Sequence, residues 1–150
     1  MASKPRRVTR VFLDASVLFS AAYSATGASR EILRSALRHE VVAVLSRYVT
    51  EEARRNLRRK APAAIPAFEQ LMELLSPEVA PDPSLLELQA AASYINLKDA
   101  PIVAAAVKAK VEYLVTLDRA HFIDDPKVAR ASGLSILTPD NLLAILRREE

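Results

Sequence analysis

The stretch V8-T-R-V-F-L-D-A-S-V-L-F-S-A-A22 decides how the rest of the chain is interpreted. Residues 8–13 are mostly apolar and rich in β-branched side chains, a pattern that predicts a buried strand. Asp14 follows this strand at once, and apolar residues resume at Val17. An ionised carboxylate among apolar neighbours costs several kcal/mol unless it has partners, so another part of the system must compensate Asp14.

Size and composition fit a single domain with a full hydrophobic core. The chain has 150 residues, of which 51% are hydrophobic, and it contains no cysteine, which excludes a disulfide framework and a thiolate metal site. Charges at Arg10 and Asp14 interrupt the N-terminal apolar stretch, unlike a signal peptide, and no run reaches the ~20 apolar residues that span a bilayer. We therefore expect a cytoplasmic protein without membrane association, with a basic tail at 1–7 and one domain at 8–150.

The positive charges are clustered although the formal net charge is only +3. One group contains Arg47, Arg54, Arg55, Arg58, Arg59 and Lys60, and a second contains Lys4, Arg6, Arg7 and Arg10. Such groups suit a polyanionic partner. On charge alone, a solvated helix face and a basic tail are the simpler interpretation.

Predicted strands and helices alternate along the chain, which indicates a parallel sheet with helices on both faces. Strands are predicted at 8–13, 41–45, 111–117 and 134–137, with a minimal strand within 76–83. Helices are predicted at 17–22, 29–38, 47–60, 63–76, 84–95, 100–110, 125–131 and from 139 onwards. In such α/β folds, ligands bind at the carboxyl ends of the strands, near the point where the strand order reverses.

Two acids follow predicted strands directly and therefore lie on this carboxyl edge. Asp14 ends the first strand, and Asp118 ends the strand at 111–117. If these strands are neighbours, the two carboxylates lie close together. Like charges in that arrangement require a cation between them or a proton on one of them.

The helix at 47–60 places a third acid near the same edge. Glu52 flanks the helix face that packs inward, whereas Glu51 points about 200° away from Val49, at about 100° per residue. The inward face consists of Val49, Ala53 and Leu57. Glu52 is therefore the better candidate for the site.

Asp99 precedes the helix that begins at Ala100 and lies above its buried face, where the helix N-terminus stabilises a carboxylate. Taken singly, Asp99 is typical of an N-cap, Glu52 of a first-turn glutamate and Asp118 of a turn. Together with Asp14, the four acids indicate a site for a hard cation such as Mg²⁺ or Mn²⁺, which prefers oxygen ligands. One or two such ions support phosphodiester hydrolysis, and a bound ion would compensate Asp14.

Four motifs occur in order: D14-A-S16, S46-R-Y-V-T-E-E52-A-R-R-N-L57, K98-D-A-P-I-V-A-A-A106 and L114-V-T-L-D-R-A-H-F122. In their strand–helix context they resemble the PIN domain family from about Val8 to Leu146, and most closely its VapC-like toxin branch. The resemblance implies a three-layer α/β/α sandwich around a mostly parallel sheet of about five strands. It also implies a Mg²⁺- or Mn²⁺-dependent endoribonuclease that leaves 5′-phosphate and 3′-hydroxyl ends.

The resemblance assigns roles to particular residues. The acidic positions of the family, which imply catalysis and metal binding, correspond to Asp14, Glu52, Asp99 and Asp118. Supporting hydroxyls fall on Ser16, where many relatives have Asn, and on Thr116. Some relatives carry an extra acid just after the last Asp, and the next acids here are Asp124 and Asp125.

The resemblance also implies partners. Toxins of this family usually form homodimers and are inhibited by an antitoxin whose tail reaches the acidic site. The expected partners are therefore an RNA substrate, an antitoxin protein and a second copy of the chain.

Three residues near the acids are candidates for RNA contact. Arg55 and Arg59 lie at i+3 and i+7 from Glu52, which fits either guidance of RNA phosphates or a solvated face. His121 lies three residues after Asp118 and fits a phosphate contact, proton transfer or a packed loop histidine. The aromatic content is 5%, without a stacking motif, so recognition of single-stranded bases is not predicted.

Other functions remain open. A PIN-like nuclease of RNA processing shares every feature above, and a non-catalytic RNA-binding or partner-binding module would have lost acids that this chain retains. A phosphotransfer domain with Asp14 as nucleophile commonly has a second acid two residues on, where this chain has Ser16. The chain contains only two glycines, Gly27 and Gly133, and no glycine-rich nucleotide-binding motif.

Overall fold

The computed structural model describes residues 8–148, so the basic tail predicted at 1–7 lies outside the described residues. The strands are β1 (Thr9–Leu13), β2 (Val41–Leu45), β3 (Glu78–Val79), β4 (Tyr113–Val115) and β5 (Ser135–Leu137). The helices are α1 (Ala15–Tyr23), α2 (Ala28–Leu37), α3 (Arg47–Lys60), α4 (Ile65–Leu75), α5 (Leu85–Ala92), α6 (Ala100–Ala109), α7 (Arg119–Phe122), α8 (Pro126–Ser132) and α9 (Pro139–Arg148). A 3₁₀ turn at Pro62–Ala64 leads into α4.

The five strands of this sheet are parallel and lie in the order β3-β2-β1-β4-β5. The order reverses at β1, because β2 and β3 extend the sheet to one side and β4 and β5 to the other. In the register, Phe12 of β1 lies between Val44 of β2 and Leu114 of β4. The carboxyl ends of β1 and β4 therefore flank the switch point, where sheets of this kind bind ligands.

Helices cover both faces of the sheet. Right-handed crossovers place α1–α4 on one face and α5 and α6 on the other. Helix α1 contacts α2, α3 and α4, α2 contacts α9, and α5 packs against α6. The predicted fold class, an α/β/α sandwich around a parallel five-stranded sheet, is confirmed.

The core explains the opening sequence. Val11, Phe12 and Leu13 have no exposed surface, because central strand β1 is covered on both faces. Among residues 8–148, the buried ionisable side chains are Asp14 and Asp99, and both lie at the carboxyl edge. No helix in the described part of the chain has the length and apolar character needed to cross a membrane.

Three differences from the predicted elements have a clear physical reason. Helix α1 begins at Ala15 rather than Val17, because Asp14 caps it. The strand predicted at 111–117 is reduced to β4, whose three residues are those with partners on both β1 and β5. Helix α7 was not predicted, and the Asp118 side chain caps it by accepting from the backbone N–H of His121.

Candidate active site

Asp14 lies where β1 ends and α1 begins, and only 5% of its surface is exposed. Its Oδ1 accepts a hydrogen bond from the backbone N–H of Ala15 at 2.7 Å. Its Oδ2 accepts from Thr116 Oγ1 at 2.7 Å and from Ser16 Oγ at 2.9 Å. The protein itself therefore supplies part of the compensation that the sequence analysis attributed to a metal ion.

These donors do not fully offset the loss of hydration. The pKa of Asp14 is raised on balance: burial is the largest cause, three hydrogen bonds lower it, and the charge of Asp99 raises it. Burial also raises the pKa of Glu52, with the charge of Asp14 as the next largest cause. Neighbouring carboxylates that resist ionisation in this way are stabilised by a bound cation.

Two hydroxyls connect the ends of β1 and β4. Thr116 Oγ1 donates to Asp14 and accepts from the backbone N–H of Asp118 at 3.0 Å. Ser16 Oγ also donates to Asp14 and accepts from the backbone N–H of Leu117 at 3.1 Å. Both hydroxyls therefore fix the loop that carries Asp118 relative to the Asp14 carboxylate.

Asp118 is paired with an imidazole. Its Oδ1 accepts from the backbone N–H of His121 at 3.2 Å, and its Oδ2 lies 2.8 Å from His121 Nδ1. The hydrogen bond to Asp118, followed by the negative charge of that residue, raises the pKa of His121. The structure thus brings His121 to the acidic site, a position that the sequence left open.

Asp99 occupies the N-terminus of α6 but makes no capping hydrogen bond with its side chain. Asn96 Nδ2 instead donates to Asp99 Oδ2 at 2.7 Å, and Asn96 Oδ1 accepts from the Asp99 backbone N–H at 3.0 Å. Asp99 is therefore the N-cap residue of α6 by position, but its side chain does not cap the helix. Asn96 was not predicted as a site residue, although asparagine is one of the residues that favour turns.

The structure separates the two adjacent glutamates of α3. Glu52 lines the cleft that contains the three aspartates, whereas Glu51 is exposed and lines a different depression, beside Arg47 and Arg54. Among the described residues, Glu52 Oε2 is a buried side-chain oxygen without a hydrogen-bond partner. An orphaned carboxylate oxygen beside other carboxylates is the arrangement that a cation satisfies.

One cleft of about 340 Å³ contains Asp14, Glu52, Asp99 and Asp118 together. Its basic lining residues are Lys60 and Lys98, and Asn56 also contributes to it. Sequence analysis missed these three residues. Asn56 and Lys60 lie at i+4 and i+8 from Glu52, so the helical period would have identified them, whereas no local pattern distinguishes Lys98.

Four other candidates lie outside the cleft lining. Arg55 and Arg59 are exposed on α3, although the charge of Arg55 still lowers the pKa of Glu52. Asp124 is exposed and lies 3.8 Å from Arg119, and Asp125 caps α8 through the backbone N–H of Lys127. The structure therefore places neither later acid at the site.

The donor set fits a divalent metal ion. Ligand atoms of Asp99, Asp118 and His121 all lie within 4.8 Å of one another. This group contains an imidazole in place of Asp14, which the resemblance assigned as a ligand. Carboxylates suit Mg²⁺ and Mn²⁺, and an imidazole nitrogen shifts preference towards transition metals.

Comparison with known proteins identifies the family. A family model described as the PIN domain matches residues 10–120, which is most of the chain. The chain belongs to the PIN domain family. This result confirms the resemblance inferred from the four motifs, and no curated protein sequence matches the chain.

Solved structures share the same fold at low sequence identity. PAE2754 from Pyrobaculum aerophilum has a TM-score of 0.66 and 21% identity, covering 93% of this PIN domain chain and 90% of its own. VapBC2 from Rickettsia felis, bound to a promoter DNA fragment, has a TM-score of 0.62 and 13% identity. The match covers 87% of this chain and 98% of the VapBC2 chain. VapC20 from Mycobacterium tuberculosis, described as a sarcin-ricin loop cleaving toxin, has a TM-score of 0.50 and 20% identity. The match covers 73% of this chain and 91% of the VapC20 chain.

Proposed function

We propose that this PIN domain is a metal-dependent endoribonuclease that hydrolyses RNA phosphodiester bonds. The observation that supports this most strongly is the convergence of Asp14, Glu52, Asp99 and Asp118 in one cleft at the sheet switch point. The unpartnered Glu52 oxygen and the raised pKa values of Asp14 and Glu52 favour a cation there.

Each group has a role in this proposal. Asp99, Asp118 and His121 would hold the ion, Mg²⁺ or Mn²⁺, which supplies a Lewis acid for attack on phosphorus. Asp14 holds the Thr116 and Ser16 hydroxyls and, through them, the Asp118 loop. Glu52, whose Oε2 has no partner in the protein, would complete the ligand set of the ion directly or through a water molecule. Lys60 and Lys98 offset the phosphate charge.

We further propose that the chain is the toxin of a toxin–antitoxin pair and forms a homodimer in the cytoplasm. Structural neighbours that include VapBC2, a FitAB complex and a toxin support an antitoxin partner. Co-purification of the chain with the product of an adjacent gene, followed by loss of ribonuclease activity in the complex, would test this proposal. A PIN nuclease of RNA processing would retain its activity without such a partner.

The decisive experiment measures RNA cleavage by the purified, partner-free chain with EDTA, Mg²⁺ or Mn²⁺. We expect cleavage that requires metal and falls at least 100-fold in Asp118→Asn. Asp124→Asn is the matched control, because it makes the same chemical change in an exposed acid nearby, and it should cleave like the wild type.

Two outcomes would contradict the nuclease proposal. Cleavage that persists in EDTA would exclude metal dependence. Metal-independent RNA binding by both proteins, without cleavage by either, would assign the chain to non-catalytic RNA-binding modules.

A further inference from the structure

The acidic cleft continues as a groove between α1 and α3. Ser16, Phe19 and Ser20 line it from α1, and Glu52, Asn56 and Lys60 line it from α3. The two helices pack against each other. Residues Glu52 and Lys60 are two helical turns apart, so the groove extends about 11 Å from the acids.

One ring of an aromatic pair, Phe19, lines this groove on the α1 side, and Tyr23 is its stacking partner. The Phe19 and Tyr23 rings are stacked, with centroids 6.0 Å apart and an angle of 15° between the planes. Phe19 is half-buried in the cleft wall, whereas 68% of Tyr23 is exposed one turn further from the acids. A rigid ring in the cleft wall with an exposed ring stacked on it offers a flat apolar surface beside a polar site.

Lys98 lies among the acids at the carboxyl edge of the sheet, and a second cation, Lys60, lies further along the groove. Carboxylates occupy the end at the switch point, and Lys60 lies at the opposite end, where α3 ends. Ser20 and Asn56, between them, can form hydrogen bonds with a ribose or a base edge. A nucleotide chain matches this arrangement, because it requires a metal site for one phosphate, an apolar face for the base and a cation for the next phosphate.

We propose that Phe19 and Tyr23 form a stacking platform for one nucleobase of single-stranded RNA, adjacent to the bond that is cleaved, with Lys60 binding the following phosphate. This inference rests on the proposed ribonuclease function and adds a base-binding subsite to it. Bases within a duplex are stacked on one another and cannot reach a side-chain ring, so the platform selects unpaired loops and ends. Because every base has a π-face, we expect weak sequence preference at this position.

The first test locates the stacked base. Short single-stranded RNAs carrying one 2-aminopurine at successive positions are bound to the Asp118→Asn variant, and fluorescence quenching reports stacking. We expect quenching at one position beside the cleaved bond. It should disappear when Tyr23→Ala is added and remain with Tyr23→Phe, which keeps the ring.

The second test uses cleavage by the otherwise wild-type chain. Tyr23→Ala should raise KM for single-stranded RNA about tenfold, the order expected for loss of one base–aromatic stack, with kcat largely unchanged. Tyr23→Phe should remain within about twofold of the wild type. Leu86→Ala is the surface control, because Leu86 is 77% exposed on α5 and does not line the groove. Thermal unfolding checks that every variant folds.

The outcomes separate this inference from the function on which it rests. A wild type that cleaves no RNA with metal contradicts the ribonuclease, and the quenching pattern still tests the platform. A wild type and a Tyr23→Ala variant that cleave equally, without position-specific quenching, overturn the platform alone. Unchanged RNA affinity in Tyr23→Ala with weakened binding of a protein partner would assign the groove to that protein and overturn the inference.

Discussion

At the scale of single residues, the site contains buried charge that does not favour folding. Asp14 is 5% exposed, and burial raises its pKa despite three hydrogen bonds. Retaining an ionised carboxylate there at neutral pH therefore lowers the stability of the metal-free protein. Functional sites commonly store such strain, because a group that is costly in the free protein has more to gain from a ligand.

Asp14→Asn should stabilise the metal-free protein at neutral pH by about 0.5–2 kcal/mol, the range of single stabilising substitutions. The amide oxygen can accept from the Ala15 N–H, and the amide N–H groups can donate to the Ser16 and Thr116 oxygens, so the loss is limited to the acceptor that Oδ2 offers to these two O–H groups. Urea unfolding in EDTA measures the effect, with Asp124→Asn as an exposed control. A less stable Asp14→Asn variant would show that the three donors already compensate the charge.

The same residue predicts a pH dependence of stability. Its pKa is raised in the folded state, so the folded chain binds this proton more tightly than the unfolded chain does. The contribution of Asp14 to stability is therefore greatest below its ordinary value of 3.8 and is lost as the pH rises through the folded pKa. The unfolding free energy is measured in EDTA at a series of acidic pH values. As the pH rises, it should decline more steeply in the wild type than in Asp14→Asn.

The adjacent glutamates of α3 provide a matched pair for catalysis. Glu52→Gln should lower kcat/KM at least 100-fold, because Glu52 lines the cleft and its Oε2 has no protein partner. Glu51→Gln makes the same change on the exposed side and should remain within about twofold of the wild type. Metal-dependent cleavage rates measure both, and equal losses would contradict the assignment of Glu52.

At the scale of elements, the site depends on how two strand ends are held together. The Thr116 hydroxyl joins Asp14 after β1 to the backbone of Asp118 after β4. Thr116 is fully buried, so its hydroxyl has no water to replace either partner. Together with Ser16, this side chain therefore sets the relative position of the two carboxylates.

Thr116→Val should destabilise the fold by about 1–3 kcal/mol, because it leaves a buried donor and a buried acceptor without their partner at nearly constant volume. It should also lower cleavage activity, since the Asp118 loop loses its anchor. Thr116→Ser keeps the hydroxyl and should retain activity, although the missing methyl lowers stability. Urea unfolding and cleavage rates together distinguish the two roles, and equal activity of the Val and Ser variants would exclude positioning by the hydroxyl.

At the scale of the whole molecule, the basic residues of α3 have different functions. Arg47 pairs with Asp82 at 2.6 Å, and Arg54 pairs with Glu69 at 2.6 Å and lies over the Phe68 ring. These two arginines therefore connect elements of the fold. The cations that line the cleft are Lys60, at the end of α3, and Lys98, which precedes Asp99.

The salt dependence of RNA binding tests which cations contact phosphates. Lys60→Ala and Lys98→Ala should each reduce the slope of log affinity against log salt concentration by about 0.7, the value for one phosphate contact on a single strand. Arg147→Ala removes one charge from exposed α9, away from the cleft, and should leave the slope unchanged. Titrations of a fluorescent RNA in Asp118→Asn measure the slopes, and equal slopes for all variants would exclude these contacts.

The sequence by itself determined the architecture and the acids. Continuous apolar strands such as β1 and β2, each followed by a helix, are local patterns that favour a parallel sheet. Because parallel strands share a carboxyl edge, Asp14 and Asp118 could be placed together without knowing their distance. The helical period likewise distinguished Glu52 from Glu51.

Only the tertiary structure decided how these acids are surrounded. Strand order at β1 brings Thr116 onto Asp14 across 102 positions of sequence, and the same packing brings Lys98 and His121 to the site. The groove between α1 and α3 likewise arises from helix packing, whereas the Phe19–Tyr23 pair is an i,i+4 pair of α1 alone. Periodicity reports which side of an element is buried, but the partner on that side is set by long-range contacts, and these contacts determine the chemistry of the cleft.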